Sequence, residues 1–159
     1  MDAKRILLEG GYTCVLFGGG KVYTSNDRGV KPLVRFLESG DIPAGFSAAD
    51  KVVGRATAWL YVLLRVREVY SQIISRPAVE VLECHGIRVV YDKLVPSIIN
   101  RKGDGICPFE AAVMELDDPD RAYEAIRIKM KEMNITFRYT ERKKLYIPKR
   151  MVSKKILVN

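Results

Sequence analysis

A chain of 159 residues suits one ordinary domain able to bury well over half the surface its unfolded form exposes, so neither a disulfide framework nor a structural metal is required for stability. Its 48% hydrophobic and 29% charged content is that of a globular protein, and no apolar run approaches the roughly 20 residues a membrane-spanning helix needs. The net charge of +8 suggests nucleic acid until it is divided: residues 134–159 hold eight basic side chains and one acid, Glu141, whereas the first 133 hold nineteen basic and eighteen acidic, so the basicity belongs to the tail.

Asp2, Lys4, Arg5 and Glu9 interrupt the first ten residues, which argues against a secretory signal and makes a cytoplasmic location the expectation. Ile6, Leu7 and Leu8 predict a short helix over Ala3–Glu9, stopped by Gly10-Gly11. Tyr12–Phe17 and Val22–Ser25, joined through Gly18-Gly19-Gly20, predict a β-hairpin. A helix follows from Pro32, carrying Leu33, Val34, Phe36 and Leu37, and Gly40 closes it.

Ser47 as N-cap, with Asp50 at the capping-box position, predicts a long helix that buries Val52, Val53, Ala56, Leu60, Leu63 and Leu64. Gly54 in its middle costs roughly 1 kcal/mol relative to alanine and points to a close contact near its backbone. Val69–Ile74 reads as a strand, Ser75-Arg76-Pro77 begins a helix that Gly86 ends, and Ile87, Val89 and Tyr91 alternate as a second strand, parallel to the first. Pro96 breaks the pattern, and Ile98 and Ile99 read as buried. Two helices follow, one from Pro108 to Leu116 and one capped by Asp118-Pro119 with Ala122, Ala125, Ile126 and Met130 inward. The order fits an α/β three-layer sandwich, a mixed sheet with helices on both faces, over residues 1–133, with a basic C-terminal extension at 134–159.

Chemistry concentrates between Asn100 and Glu110. Cys107 stands at an N-cap, Pro108 at the first helical position and Glu110 three residues after the cysteine, a capping box with a thiol in place of the hydroxyl. Either Cys107 merely closes the helix, or the helix N-terminus, with Lys51 or Arg101, activates it as a thiolate nucleophile. Cys14 and Cys84 read as core or partly buried, the odd cysteine count without a C-x-x-C pair argues against disulfides, and His85 before Gly86 reads as a helix C-terminal partner.

The hairpin, then Arg28-Gly29-Val30-Lys31-Pro32-Leu33, Ala49-Asp50-Lys51-Val52-Val53-Gly54-Arg55-Ala56, and Asn100-Arg101 with Cys107-Pro108-Phe109-Glu110, together resemble the family known as domain of unknown function 1893, over roughly Gly11 to Met133. The resemblance implies a cytidine-deaminase-like fold with a site built from the N-termini of two helices. It transfers no reaction. Zinc deaminases need a His or Cys beside a proton-shuttling Glu on one helix and P-C-x-x-C on the next. Here Asp50-Lys51-Val52 and Cys107-Pro108-Phe109-Glu110 stand in their place, a poor set for zinc. No metal and no cofactor are therefore expected, and zinc-dependent deamination is disfavoured.

Three functions fit. The first is a small nucleobase- or nucleotide-like ligand in a cleft at Asp50, Lys51 and Cys107, its phosphate held by Arg28, Lys51 and Arg101, with Asp104 beside them. The second is a metal-independent enzyme with Cys107 as nucleophile, Lys51 or the helix N-terminus stabilising charge, and Asp50 or Glu110 moving protons. The third is nucleic-acid or acidic-partner association through the tail, where Tyr139, Arg142, Lys143, Lys144, Tyr146, Lys149 and Arg150 interleave aromatic and basic groups. Alternation through Ile135, Phe137 and Tyr139 also permits a strand there, and a homo-oligomer stays open.

Overall fold

Gly19 and Gly20 carry φ of 55° and 73°, a left-handed pair that folds β1 (Cys14–Gly18) tightly back onto β2 (Lys21–Ser25). In the computed structural model, which describes residues 2–136, this hairpin is one end of a five-stranded mixed sheet ordered β2-β1-β3-β4-β5. β3 (Ser47–Val53) runs antiparallel to β1 and parallel to β4 (Glu68–Ser75), which is parallel to β5 (Arg88–Val95). The tail from 137 onward, with the strand and nucleic-acid readings placed on it, lies outside the described residues.

Helices cover both faces of the sheet. α1 (Asp2–Gly10) packs Ala3, Ile6 and Leu7 against Val15, Val22, Ala49 and Tyr70 on one face. On the other, α2 (Lys31–Ser39), α3 (Arg55–Leu64) and α4 (Arg76–Cys84) enclose the larger core around Leu33, Trp59, Leu60, Ile74 and Leu82. α5 (Pro108–Val113) and α6 (Pro119–Glu132) add Phe109, Val113, Ala122, Ile126 and Met130 to that core. The caps at α4 and α6 form as expected: Ser75 Oγ accepts from Ala78 N–H at 3.3 Å and Asp118 Oδ1 from Arg121 N–H at 2.8 Å. His85 sits at the C-cap of α4 with Nδ1 2.8 Å from the Val81 carbonyl oxygen.

The expected helix from Ser47 is the main correction. Ser47–Val53 is a strand at the centre of the sheet, paired on both sides, and the helix starts only at Arg55. Ser47 does not cap; its hydroxyl donates to Glu68 Oε1 at 2.7 Å. A segment with local helix signals takes strand conformation because two neighbouring strands satisfy its backbone. The alternation also changes phase within it. Ala48 and Val53, an odd number of residues apart, both pack into the larger core, which helps to explain why neither period was legible. Three smaller corrections follow: Gly54 is the N-cap of α3 rather than a mid-helix residue, Ile99 is exposed, and so is Cys84.

Candidate functional site

The carboxyl end of β3 opens into a cleft of about 1380 Å³, walled by the segment after β2, the N-termini of α2 and α3, and the loop before α5. Every sequence-predicted site residue lines it: Arg28, Asp50, Lys51, Arg101, Asp104, Cys107 and Glu110. They arrive from different elements than expected. Asp50 and Lys51 come from a strand rather than a helix start, and the two longer helices that present N-termini to the cleft are α2 and α3, through Val30, Lys31 and Pro32 and through Gly54, Ala56 and Thr57.

Asp50 is one of two buried acids of this cleft, 8% exposed. Tyr61 on α3 donates its hydroxyl to Asp50 Oδ2 at 2.8 Å, and the Val52 N–H donates to Oδ1 at 3.2 Å. Cys14, opposite Asp50 on β1, places Sγ 3.5 Å from the same Tyr61 hydroxyl. Burial pushes the Asp50 carboxyl up to about 7, against the smaller opposing pull of these hydrogen bonds. Burial likewise pushes Cys14 and Tyr61 up, and the nearby Asp50 charge reinforces both shifts. Sequence reasoning named Asp50 but missed Tyr61 and the part of Cys14; residues 11 and 36 positions away carry no local signal of this contact.

Glu110 overturns the capping box. Cys107 does occupy the N-cap of α5, but its side chain caps nothing, and its own N–H donates to the Ile98 carbonyl at 2.9 Å. The Glu110 carboxylate, 5% exposed, instead accepts from Arg55 N–H at 2.7 Å and from the Ser75 hydroxyl at 3.0 Å. It thus bridges the N-termini of α3 and α4, where unsatisfied N–H groups favour negative charge. Arg55 reciprocates: its guanidinium donates to the carbonyls of Val113 at 3.2 Å and Leu116 at 2.7 Å, and to Asp117 at 3.0 Å. Gly54 explains itself here, since a Cβ on it would lie 2.6 Å from Glu110 Oε1.

The rim is cationic. Arg28, Lys51, Arg101 and Lys102 are exposed, and none is ion-paired among the described residues. Asp104, by contrast, is held within its own loop, accepting from Asn100 Nδ2 at 2.7 Å while its N–H donates to Asn100 Oδ1 at 3.2 Å. Val52, Ile99 and Met133 expose apolar surface along the cleft. The donor set does not suit zinc. Glu110 and Asp50 are engaged by protein donors, and among the described residues no three His, Cys, Asp or Glu side chains gather closely enough to hold a metal ion. Nor does any described helix have the length and apolarity to cross a membrane.

Comparison with known proteins gives one consistent result. A family model described as domain of unknown function (DUF1893) matches residues 2–130, beginning earlier than the sequence resemblance did because α1 is part of the domain. The crystal structure of a DUF1893 family protein from Thermotoga maritima is similar at 30% identity and a TM-score of 0.71, over 80% of this chain and 85% of that one. No curated protein matches.

Proposed function

The chain belongs to the DUF1893 family, and we propose that its cleft binds a small nucleobase- or nucleotide-like ligand, in a fold of cytidine-deaminase-like type. The architectural part rests on a mixed sheet covered on both faces and on a cleft lined by the N-termini of α2 and α3. The ligand part is carried by the mix of side chains that line the cleft: the buried Asp50, the exposed apolar surface of Val52, Ile99 and Met133, and the exposed cations Arg28, Lys51 and Arg101. A nucleotide offers a matching group for each: a flat heterocycle with a polar edge and a phosphate. Backbone N–H groups at the start of α2, whose N-cap makes no side-chain bond, supplement the cations.

The same geometry gives less support to a thiol nucleophile. Cys107 lines the cleft and is half-buried, but Glu110, its nearest candidate base in sequence, has its carboxylate engaged by Arg55 and Ser75. α5 has only six residues, so its terminus adds little to activate a thiolate.

Thermal unfolding of the full chain with nucleosides and nucleoside monophosphates at millimolar concentration tests the proposal. A ligand at 100 times its Kd adds about 2.7 kcal/mol of stability, a shift of several degrees. The monophosphate should outperform its nucleoside, and Lys51→Ala together with Arg28→Ala should erase that difference. Absence of stabilisation by every member of the panel would refute the reading.

A further inference from the structure

We infer that a second copy of this chain pairs with β5, edge to edge and antiparallel about Val90, so that two molecules share one continuous sheet. β5 is the last strand of the sheet, and among the described residues no strand pairs beyond it. The Arg88 N–H donates to the Arg67 carbonyl oxygen at 3.1 Å, and β5 pairs with β4 without a break from Arg88 to Tyr91. In a parallel ladder alternate residues turn their backbone groups toward the neighbour. Arg88 and Val90 therefore face β4, while Val89 and Tyr91 present their N–H and C=O groups at the open edge. Val90 and Tyr91, on opposite faces of the strand, are 37% and 42% exposed. The cluster under α1 contains no β5 residue, so the sheet is uncovered beside Val90. An edge of this length with exposed apolar side chains is a template for a further strand.

The side chains select a second copy as the occupant, and one register. Val90 stands beside Tyr70, Asp92 accepts from the Tyr70 hydroxyl, and Arg88 lies 3.9 Å from Glu68 with most of its side chain exposed, so Arg88, Val90 and Asp92 share one face. A two-fold axis through Val90 sets Arg88 opposite the partner's Asp92 on either side of the central valines. On the other face Val89 meets the partner's Tyr91, a β-branched residue against an aromatic one, and the outward backbone groups of these two residues bond each other. Lys93 falls opposite the partner's Ile87, at the end of the ladder. Sliding the register by two residues sets Arg88 against Val90 in one direction and Val90 against Asp92 in the other, and a slide of four sets Arg88 or Asp92 against its own copy. A slide of one opposes outward backbone groups to inward ones and makes no ladder. Charge complementarity therefore singles out the register about Val90. Because β3 and β5 run the same way and the joined strands run antiparallel, the two clefts open at opposite ends of the shared sheet and leave each other clear.

Sedimentation equilibrium of the full chain from about 1 to 200 μM tests the inference. The 18.0 kDa chain should associate reversibly into a species of twice that mass. Arg88→Glu and Asp92→Lys each set like charges across the axis and should weaken the dimer about tenfold. Combined, they restore opposite charges and should return the affinity to within about threefold of the unmodified chain. The register is read separately, in a Cys84→Ser background that removes the exposed thiol. Val90→Cys should there form an intermolecular disulfide under mild oxidation, because opposed Cα atoms at a non-hydrogen-bonded pair lie about 4.5 Å apart, within disulfide reach. Lys93→Cys, roughly 20 Å from its own copy in this register, should not. A monomer throughout the concentration range overturns the inference, and so does a dimer that the combined charge change fails to restore or that Lys93→Cys cross-links as readily as Val90→Cys. A monomer whose Val89 and Tyr91 amides resist hydrogen exchange shows the edge covered from within the chain, which overturns it too. If the charge variants fail to fold, sedimentation of the unmodified chain and the Val90→Cys cross-link still decide.

Discussion

Gly54 and Glu110 provide a direct test of how the loop before α5 is tied to the sheet. Gly54 has φ −97° and ψ 179°, an extended conformation open to alanine, so Gly54→Ala introduces no backbone strain. Its effect is contact, on top of the roughly 0.5–1 kcal/mol by which alanine is a poorer N-cap than glycine. The new Cβ would meet Glu110 Oε1 at 2.6 Å, Glu110 Cδ at 2.9 Å and Ile98 Cγ1 at 3.1 Å. Regaining ordinary contact moves Oε1 by roughly 0.8 Å, which strains its 3.0 Å bond from the Ser75 hydroxyl and, as the carboxylate turns, the 2.7 Å bond from Arg55 N–H to Oε2. A flexible carboxylate on the surface would swing aside cheaply, but this one is buried and held at two points.

Hydrogen bonds to a charged group are worth about 1.5–3 kcal/mol each. Partial loss of two therefore puts Gly54→Ala at about 2–4 kcal/mol destabilising. Glu110→Ala should cost about 3–5 kcal/mol, because it also leaves the Arg55 N–H and Ser75 hydroxyl without their partner. The two costs should not add. With the carboxylate gone, the Cβ has room, and Gly54→Ala in the Glu110→Ala background should cost under about 1 kcal/mol. Urea denaturation of the four proteins closes the cycle. Equal costs of Gly54→Ala in both backgrounds would refute the carboxylate contact as the reason for glycine at this position.

Asp50 gives a pH-dependent stability. Its folded carboxyl titrates near 7 against an ordinary 3.8, so the folded state holds the proton more tightly than the unfolded state. The resulting stabilisation is complete below 3.8 and is lost as pH rises through 7, up to about 4 kcal/mol. Asp50→Asn should therefore gain on the unmodified chain in melting temperature from pH 4 to pH 8, and parallel pH profiles would contradict this account. For the cysteines, exposed Cys84 should alkylate first, half-buried Cys107 more slowly and buried Cys14 only on unfolding. A Cys107 rate more than tenfold above that of Cys84 at neutral pH would reinstate the nucleophile reading.

Elements announced by their own residues were legible without tertiary information. Gly19-Gly20 specifies a tight hairpin through backbone freedom, Ser75 and Asp118 with the following residues start α4 and α6, and Gly40 stops α2, each by an interaction spanning a few residues. The residues of the candidate site were also legible as types, and all of them border one cleft. Their roles were not. Ser47–Val53 looks helical by its caps and becomes a strand because β1 and β4 flank it, which in turn moves Asp50 from a helix start to the floor of the cleft beside Tyr61.

Glu110 shows the same division. Three residues after Cys107 it has the spacing of a capping box, yet its partners are Arg55 and Ser75, 55 and 35 residues away. Local spacing tells which bonds a side chain can make within one turn of helix. Only the packed chain decides which of them compete with a buried helix N-terminus that would otherwise go unsatisfied, and here that demand prevails.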